Sequence, residues 1–144
     1  MVLQTKTIPQ GLSAMLAFDE ELSADELYVA MSTAAENVST GQITFAARDS
    51  DFDGHKIHEG EILALDNGKL TFVEKDLQKA AVRLAKQLVK KGDCSFVTVI
   101  YGEDVSDNDA KAIHDAISAK LGSDVEVALV NGGQPVYYLI ISAE

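Results

Sequence analysis

Tryptophan is absent from this chain, cysteine occurs once and proline twice. A single thiol makes no intramolecular disulfide, which fits a reducing compartment. Cys94 adjoins the apolar run 96–101 and reads as a structural thiol, not a nucleophile. Positive charge is also scarce: 12 Lys and Arg face 23 Asp and Glu, a net charge of -11. Nucleic-acid binding needs clustered cations to displace counterions, so that class is excluded. An anionic membrane surface is disfavoured for the same reason. The surplus negative charge either simply keeps the chain soluble or, in part, steers a basic partner. No apolar run reaches the ~18 residues of a membrane span. The opening MVLQTKTIPQ lacks the basic and apolar regions of a signal peptide. Together these readings lead to the expectation of a cytoplasmic protein.

The familiar catalytic signatures are missing as well. There is no phosphate-binding Gly-x-x-x-x-Gly-Lys-Ser/Thr, no Gly-x-Gly-x-x-Gly opening a helix and no Gly-x-Ser-x-Gly elbow. Asp49, Asp51, Asp53 and Gly54 copy the first half of an EF-hand loop, but Gly60 stands where the bidentate Glu belongs. The stretch reads as a polar turn. His55 and His58 are three apart in a strand-like segment and point to opposite faces, poor geometry for one metal. His114 lies on the last helix, next to Ile113 at the boundary of the core, with no catalytic companion. No catalytic residue and no metal site is assigned.

What is present is a regular α/β pattern over 144 residues, enough to bury a core without staples. Val2 to Phe18 reads as a strand-to-helix crossing, so residues 1–20 are expected to be a segment left from a preceding subdomain and 21–144 the domain proper. Ser23 to Glu26 forms a capping box ahead of the apolar stripe Leu27, Ala30, Met31, Ala34 and Val38. A strand follows through Ile43, Phe45 and Ala47. Asp66-Asn67-Gly68 joins two strands as a hairpin. Asp76 caps a helix stopped by Gly92, and 96–101 is a β-branched run expected to be a well-covered strand. Ser106 caps a last helix closed by Gly122. Strands through Val127 and from Pro135 to Ser142 complete the chain. This order predicts an α+β two-layer sandwich, a mixed β-sheet with helices on one face. Any edge strand left open would favour a homodimer.

Two places invite a functional reading. Arg48 ends a strand of small and apolar residues, where it is either paired with Asp49 or Asp51 or presented to a partner. Gly132-Gly133-Gln134-Pro135-Val136-Tyr137 combines backbone freedom, a rigid entry at Pro135 and the directional groups of Gln134 and Tyr137. It is either a plain hairpin loop or a recognition loop on a rigid sheet.

Six stretches in order carry a resemblance. They are Thr5 to Ala14, Gly41 to Thr44 with Ala46 to Asp49, Ile57 to Gly60, Val99 to Asp104, Gly132 to Tyr137, and Ser142 with Glu144. Together they resemble the C-terminal region of the ATP-binding component of bacterial fatty acid kinase, also described as a dihydroxyacetone-kinase-like or DAK phosphatase family protein. The resemblance implies a fold similar to a DegV-like or dihydroxyacetone-kinase-like subdomain. It implies that the parent is a kinase whose N-terminal ATP domain holds Mg-ATP, and that a DegV-like protein presents the fatty acid. It further implies an acyl phosphate product that feeds phospholipid synthesis. The aspartate cluster expected for Mg-ATP has no match here, so no cofactor is expected in this chain and kinase activity does not transfer to it. The remaining expectation is a docking module, with Gln10, Gly11, Arg48, Gly132, Gly133, Gln134 and Tyr137 as partner-binding residues. Its partners would be the DegV-like protein and the ATP domain of the parent. A fatty-acid-sensing domain is the alternative, and a small phosphatase a weaker one.

Overall fold

The computed structural model describes residues 1–52 and 54–144; Asp53, one of the EF-hand-like acids, lies outside the described residues. Among the described residues, four helices and eight strands run in the order α1 (Ile8–Leu16), α2 (Ala24–Glu36), β1 (Ser39–Phe45), β2 (Ser50–Phe52), β3 (His55–Ile57), β4 (Ile62–Asp66), β5 (Lys69–Glu74), α3 (Leu77–Gly92), β6 (Phe96–Tyr101), α4 (Asp107–Leu121), β7 (Glu126–Asn131) and β8 (Leu139–Ala143). Six strands form one sheet, ordered β5-β4-β1-β8-β6-β7, and β2 with β3 forms a separate hairpin. Only β6 and β7 run parallel, joined through α4; the other pairs in the sheet are antiparallel. The α+β class and the mixed sheet are as the sequence predicts.

The helix starts follow from their caps. Ser23 and Glu26 close the capping box of α2. Asp76 accepts from the Lys79 N–H at 2.8 Å, and Ser106 from the Asp109 N–H at 3.1 Å. Each such cap is worth about 1 kcal/mol. The stop of α3 differs from expectation. Gly92 remains helical, and Asp93 turns left-handed with φ 49°. Gly92 is confined for another reason: a Cβ there would lie 2.9 Å from Cys94 Sγ.

The core fills the space between the sheet and α3–α4. From α3, Ala80, Ala81, Leu84, Ala85 and Leu88 are buried, and α4 adds Ala110, Ile113 and Ile117. They meet Ile43, Ala64, Val97, Val99, Leu139 and Ile141 from the sheet. Burying a leucine such as Leu84 contributes about 1.5–3 kcal/mol. Contact is close enough that a Cβ on Gly41 would sit 2.7 Å from Leu84 Cδ2. The β6 run is less covered than its composition suggests, since its residues alternate buried and half-buried. The fully buried strand is β8, at the middle of the sheet.

Gly41 faces α3, so its neighbour Thr40 points to the other face by strand alternation. There Thr7 Oγ1, at the start of α1, meets Thr40 Oγ1 at 2.8 Å. Residues 1–6 form no strand; the crossing expected at the N-terminus is the helical pair α1–α2. Further along the same face, Ile57 of the β2–β3 hairpin joins Ala46, Leu63, Leu65 and Leu70 in a second small cluster. The polar turn expected over Asp49–Gly54 therefore includes strand β2.

Candidate partner-docking surface

β1, β6 and β7 all finish at the end of the sheet where β8 begins. The segment 132–138 lies across that end. The sequence predicts strand from Pro135, but the chain stays looped until Leu139. Proline has no N–H to give a ladder, and Val136 has φ 70°. The Tyr137 N–H donates to Pro135 O at 2.8 Å, closing a three-residue turn around Val136. This hand of γ-turn is rare and strained, more so at a β-branched residue.

The strain is held by contacts on every side. Gly132 and Gly133 N–H groups donate to Tyr101 O at 2.9 and 3.2 Å, and Glu103 N–H to Gln134 O at 3.0 Å. The Gln134 amide Nε2 donates to Ile100 O at 3.1 Å and Tyr137 O at 3.4 Å. Its Oε1 is buried with no partner among the described residues. Thr44 Oγ1 of β1 donates to Val136 O at 3.0 Å. Glycine is required at two places: a Cβ on Gly132 would run into Gln134 Oε1 and Ile100, and one on Gly102 would lie 2.5 Å from Gln134 O and Tyr137 O. The loop is rigid and presents Val136, which is 59% exposed.

Arg48 stands at the same end, in the bend after β1. It is exposed and makes no ion pair among the described residues. Asp49, one of its expected partners, instead accepts from the Glu59 N–H at 2.7 Å. Beside Arg48 runs a groove of about 320 Å³, with Phe45, Ala47, Phe52, Ile57 and Leu63 in its walls. Phe45 and Phe52 are 38% and 44% exposed, and Phe45 also packs on Tyr138 with ring centroids 5.4 Å apart. An arginine at the rim of an apolar, aromatic groove is the composition of an interface anchor. The two phenylalanines escape sequence reasoning, because strand alternation assigns Phe45 to the core and nothing marks Phe52 as presented.

Gln10 and Gly11 do not join this surface. Both lie in α1, where Gln10 Oε1 accepts from the Lys6 N–H at 2.9 Å. Ser13 of the same helix donates to Glu144, just past β8. The seven residues of β1 separate the two ends, roughly 20 Å at strand rise. The seven residues expected to bind a partner therefore split into two groups: Arg48, Gly132, Gly133, Gln134 and Tyr137 at one end, Gln10 and Gly11 at the other.

His55 and His58 are exposed, and among the described residues no group of three or more His, Cys, Asp or Glu is placed to hold a metal. His114 is engaged structurally; its Nδ1 lies 3.1 Å from Asp115 Oδ1 and its Nε2 2.8 Å from Val127 O. The Asp115 carboxylate, then the Val127 carbonyl, raise its pKa above the ordinary imidazole value, against a smaller opposing effect of burial. Burial, then Asp93 and Glu144, push the Cys94 thiol up, which disfavours a reactive thiolate.

The family model for the C-terminal region of FakA-like fatty acid kinase proteins matches residues 1–144. Protein YloV of Bacillus subtilis is 36% identical over 143 residues, 99% of this chain and 26% of that protein. An uncharacterized protein of Staphylococcus haemolyticus is 33% identical over 144 residues, again 26% of its length. The chain thus spans about a quarter of the curated relatives it matches. Among solved structures, a DegV family protein of Corynebacterium glutamicum shares the fold with TM-score 0.62 at 15% identity, over 94% of this chain and 59% of that one. A fatty acid binding DegV family protein of Streptococcus agalactiae gives TM-score 0.54 at 15% identity, over 93% and 54%.

Proposed function

The chain belongs to the C-terminal family of FakA-like fatty acid kinase proteins, and from that premise we propose that it is a non-catalytic module docking a DegV-like fatty-acid-binding protein. On this reading a separate ATP domain holds Mg-ATP and phosphorylates the fatty acid that the partner presents. The observation that carries the proposal is the built end of the sheet: exposed Arg48 beside an apolar groove, next to a strained loop that is locked in place. Binding surfaces on rigid scaffolds have this form.

Isothermal titration of the chain with the purified DegV-like protein of the same organism tests it. Arg48→Glu is expected to weaken binding at least tenfold, about 1.4 kcal/mol, while Gln10→Ala at the far end leaves it unchanged. Equal affinity of Arg48→Glu and wild type would remove this surface from the proposal.

The same groove supports a second reading, fatty-acid sensing, because a cation at the mouth of an apolar groove suits a carboxylate with an alkyl chain. A rise in melting temperature with oleate, absent in Arg48→Glu, would favour it. The phosphatase reading has less support: Asp51 sits opposite Lys56 in the β2–β3 hairpin, and both it and His55 are exposed.

A further inference from the structure

Helix α3 concentrates the scarce positive charge. Its 16 residues hold Lys79, Arg83, Lys86, Lys90 and Lys91, and no Asp or Glu. Seven cations and all 23 acids are left to the rest of the chain. Lys79, Arg83, Lys86 and Lys90 fall at i, i+4, i+7 and i+11, a single line along the exposed face. Like charges at these spacings repel. Among the described residues none of the four forms an ion pair; only Lys91 does, with Asp66 at 3.4 Å. The helix dipole explains Lys90 and Lys91 near the C-terminus but not Lys79 in the first turn, where positive charge is unfavourable.

The stripe has a shaped neighbour. Lys120 of α4 faces it across a groove of about 360 Å³ that is also lined by half-buried Val82, beside Lys79, Arg83 and Lys86. The Arg83 guanidinium lies 4.1 Å over the ring of buried Phe72. Stacking on an aromatic face fixes the guanidinium plane and leaves its N–H edge for a carboxylate.

We propose that the α3 stripe is a docking surface for an acidic helical segment of another protein, whose carboxylates meet Lys79, Arg83, Lys86 and Lys90 and whose apolar side chain sits on Val82. Charge complementarity selects the acidic partner. The stripe spans roughly 16 Å at helical rise, about the length of three turns of a facing helix. Acids bound it at both ends, Glu74 and Asp76 before α3 and Asp93 after it. A narrow segment avoids them, whereas a flat anionic bilayer brings them, and the net charge of -11, against its own surface.

The probe is a fluorescein-labelled helical peptide with Glu at i, i+4, i+7 and i+11 and one Leu between them, titrated by anisotropy with the full chain. Binding is expected at 50 mM NaCl, weaker by tenfold or more at 300 mM, and lost by tenfold or more in Arg83→Glu/Lys86→Glu with unchanged circular dichroism. Lys69→Glu/Lys111→Glu removes the same charge elsewhere and is expected to bind as wild type. The milder Arg83→Gln/Lys86→Gln keeps the test valid if the double charge reversal misfolds. No binding of the peptide, equal loss in the Lys69/Lys111 variant, or capture by phosphatidylglycerol vesicles with no response to the peptide each overturns the proposal. Arg48 lies outside this stripe, so failure here leaves the docking role of the sheet end standing.

Discussion

Replacing Gly102 by alanine tests whether the 132–138 loop is locked by packing. The added Cβ would lie 2.5 Å from the carbonyl oxygens of Gln134 and Tyr137. Carbon–oxygen contacts settle near 3.3 Å, so both carbonyls would have to retreat by about 0.8 Å. Both belong to backbone that is already fixed: Gln134 O accepts from Glu103 N–H at 3.0 Å, and the next residue after Tyr137 accepts from Gly102 N–H at 2.9 Å. Overpacking of this kind costs about 1–3 kcal/mol, and loss of one backbone hydrogen bond adds about 0.5–1.5 kcal/mol. The sum, roughly 1.5–4.5 kcal/mol, corresponds to a fall in melting temperature of about 5–15 °C for a chain of this size. Urea unfolding measures the first quantity, with an unchanged m-value expected because the surface exposed on unfolding is the same. Amide exchange at Glu103 and Gly132 reports the loop itself. A variant within about 0.5 kcal/mol of wild type, below the lower bound of the overpacking cost, with Glu103 as protected as before, would refute the packing argument.

Two further outcomes follow from the same geometry. His114 has a raised pKa because Asp115 and the Val127 carbonyl favour its charged form. Its stabilising contribution is complete below the unfolded value of about 6.5 and is lost as pH rises through the higher folded value. Urea unfolding from pH 6 to 8.5 should therefore show wild type losing stability relative to His114→Gln, and parallel curves would contradict the assignment. Gly11 is interior to α1, and beyond its chain neighbours and its own helix backbone nothing lies within 4 Å of where a Cβ would stand, so Gly11→Ala should stabilise by about 0.5–1 kcal/mol through helix propensity. A thermal melt checks this, and a loss of stability would mean that the residue is confined by something else.

Local chemistry was the legible part of the fold. Ser23, Asp76 and Ser106 cap the helices that their positions announce. Asn67 and Gly68, both with positive φ, make the two-residue hairpin turn that Asn-Gly signals. The errors lie where a tertiary contact overrides a local rule. Gly92 is the exception, since the contact that confines it is local: Cys94 Sγ, two residues on, would lie 2.9 Å from its Cβ, and the left-handed turn falls on Asp93. Pro135 to Tyr138 has strand composition, yet the loop is pinned by Tyr101, Glu103 and Thr44, all distant in sequence. Phe52 shows the same limit, since its exposure depends on how the β2–β3 hairpin lies over the sheet.

Topology explains why the candidate site holds together and why one part of it does not. β8 lies between β1 and β6 and runs opposite to both. The chain must therefore leave β1 and β6 at the end where it enters β8. Parallel pairing of β7 with β6 brings the exit of β7 to that end too. Arg48 follows β1, Gly102 follows β6, and 132–138 joins β7 to β8, so all three gather there whatever their spacing in sequence. Gln10 and Gly11 precede β1 and sit where β8 finishes, as the Ser13 contact to Glu144 shows. No pattern of residue types encodes this division; it depends on strand order. The likeness to DegV proteins establishes that order as a shared fold and leaves binding to be argued from the side chains. Those side chains favour the Arg48 end, where a cation, two exposed phenylalanines and a locked loop meet.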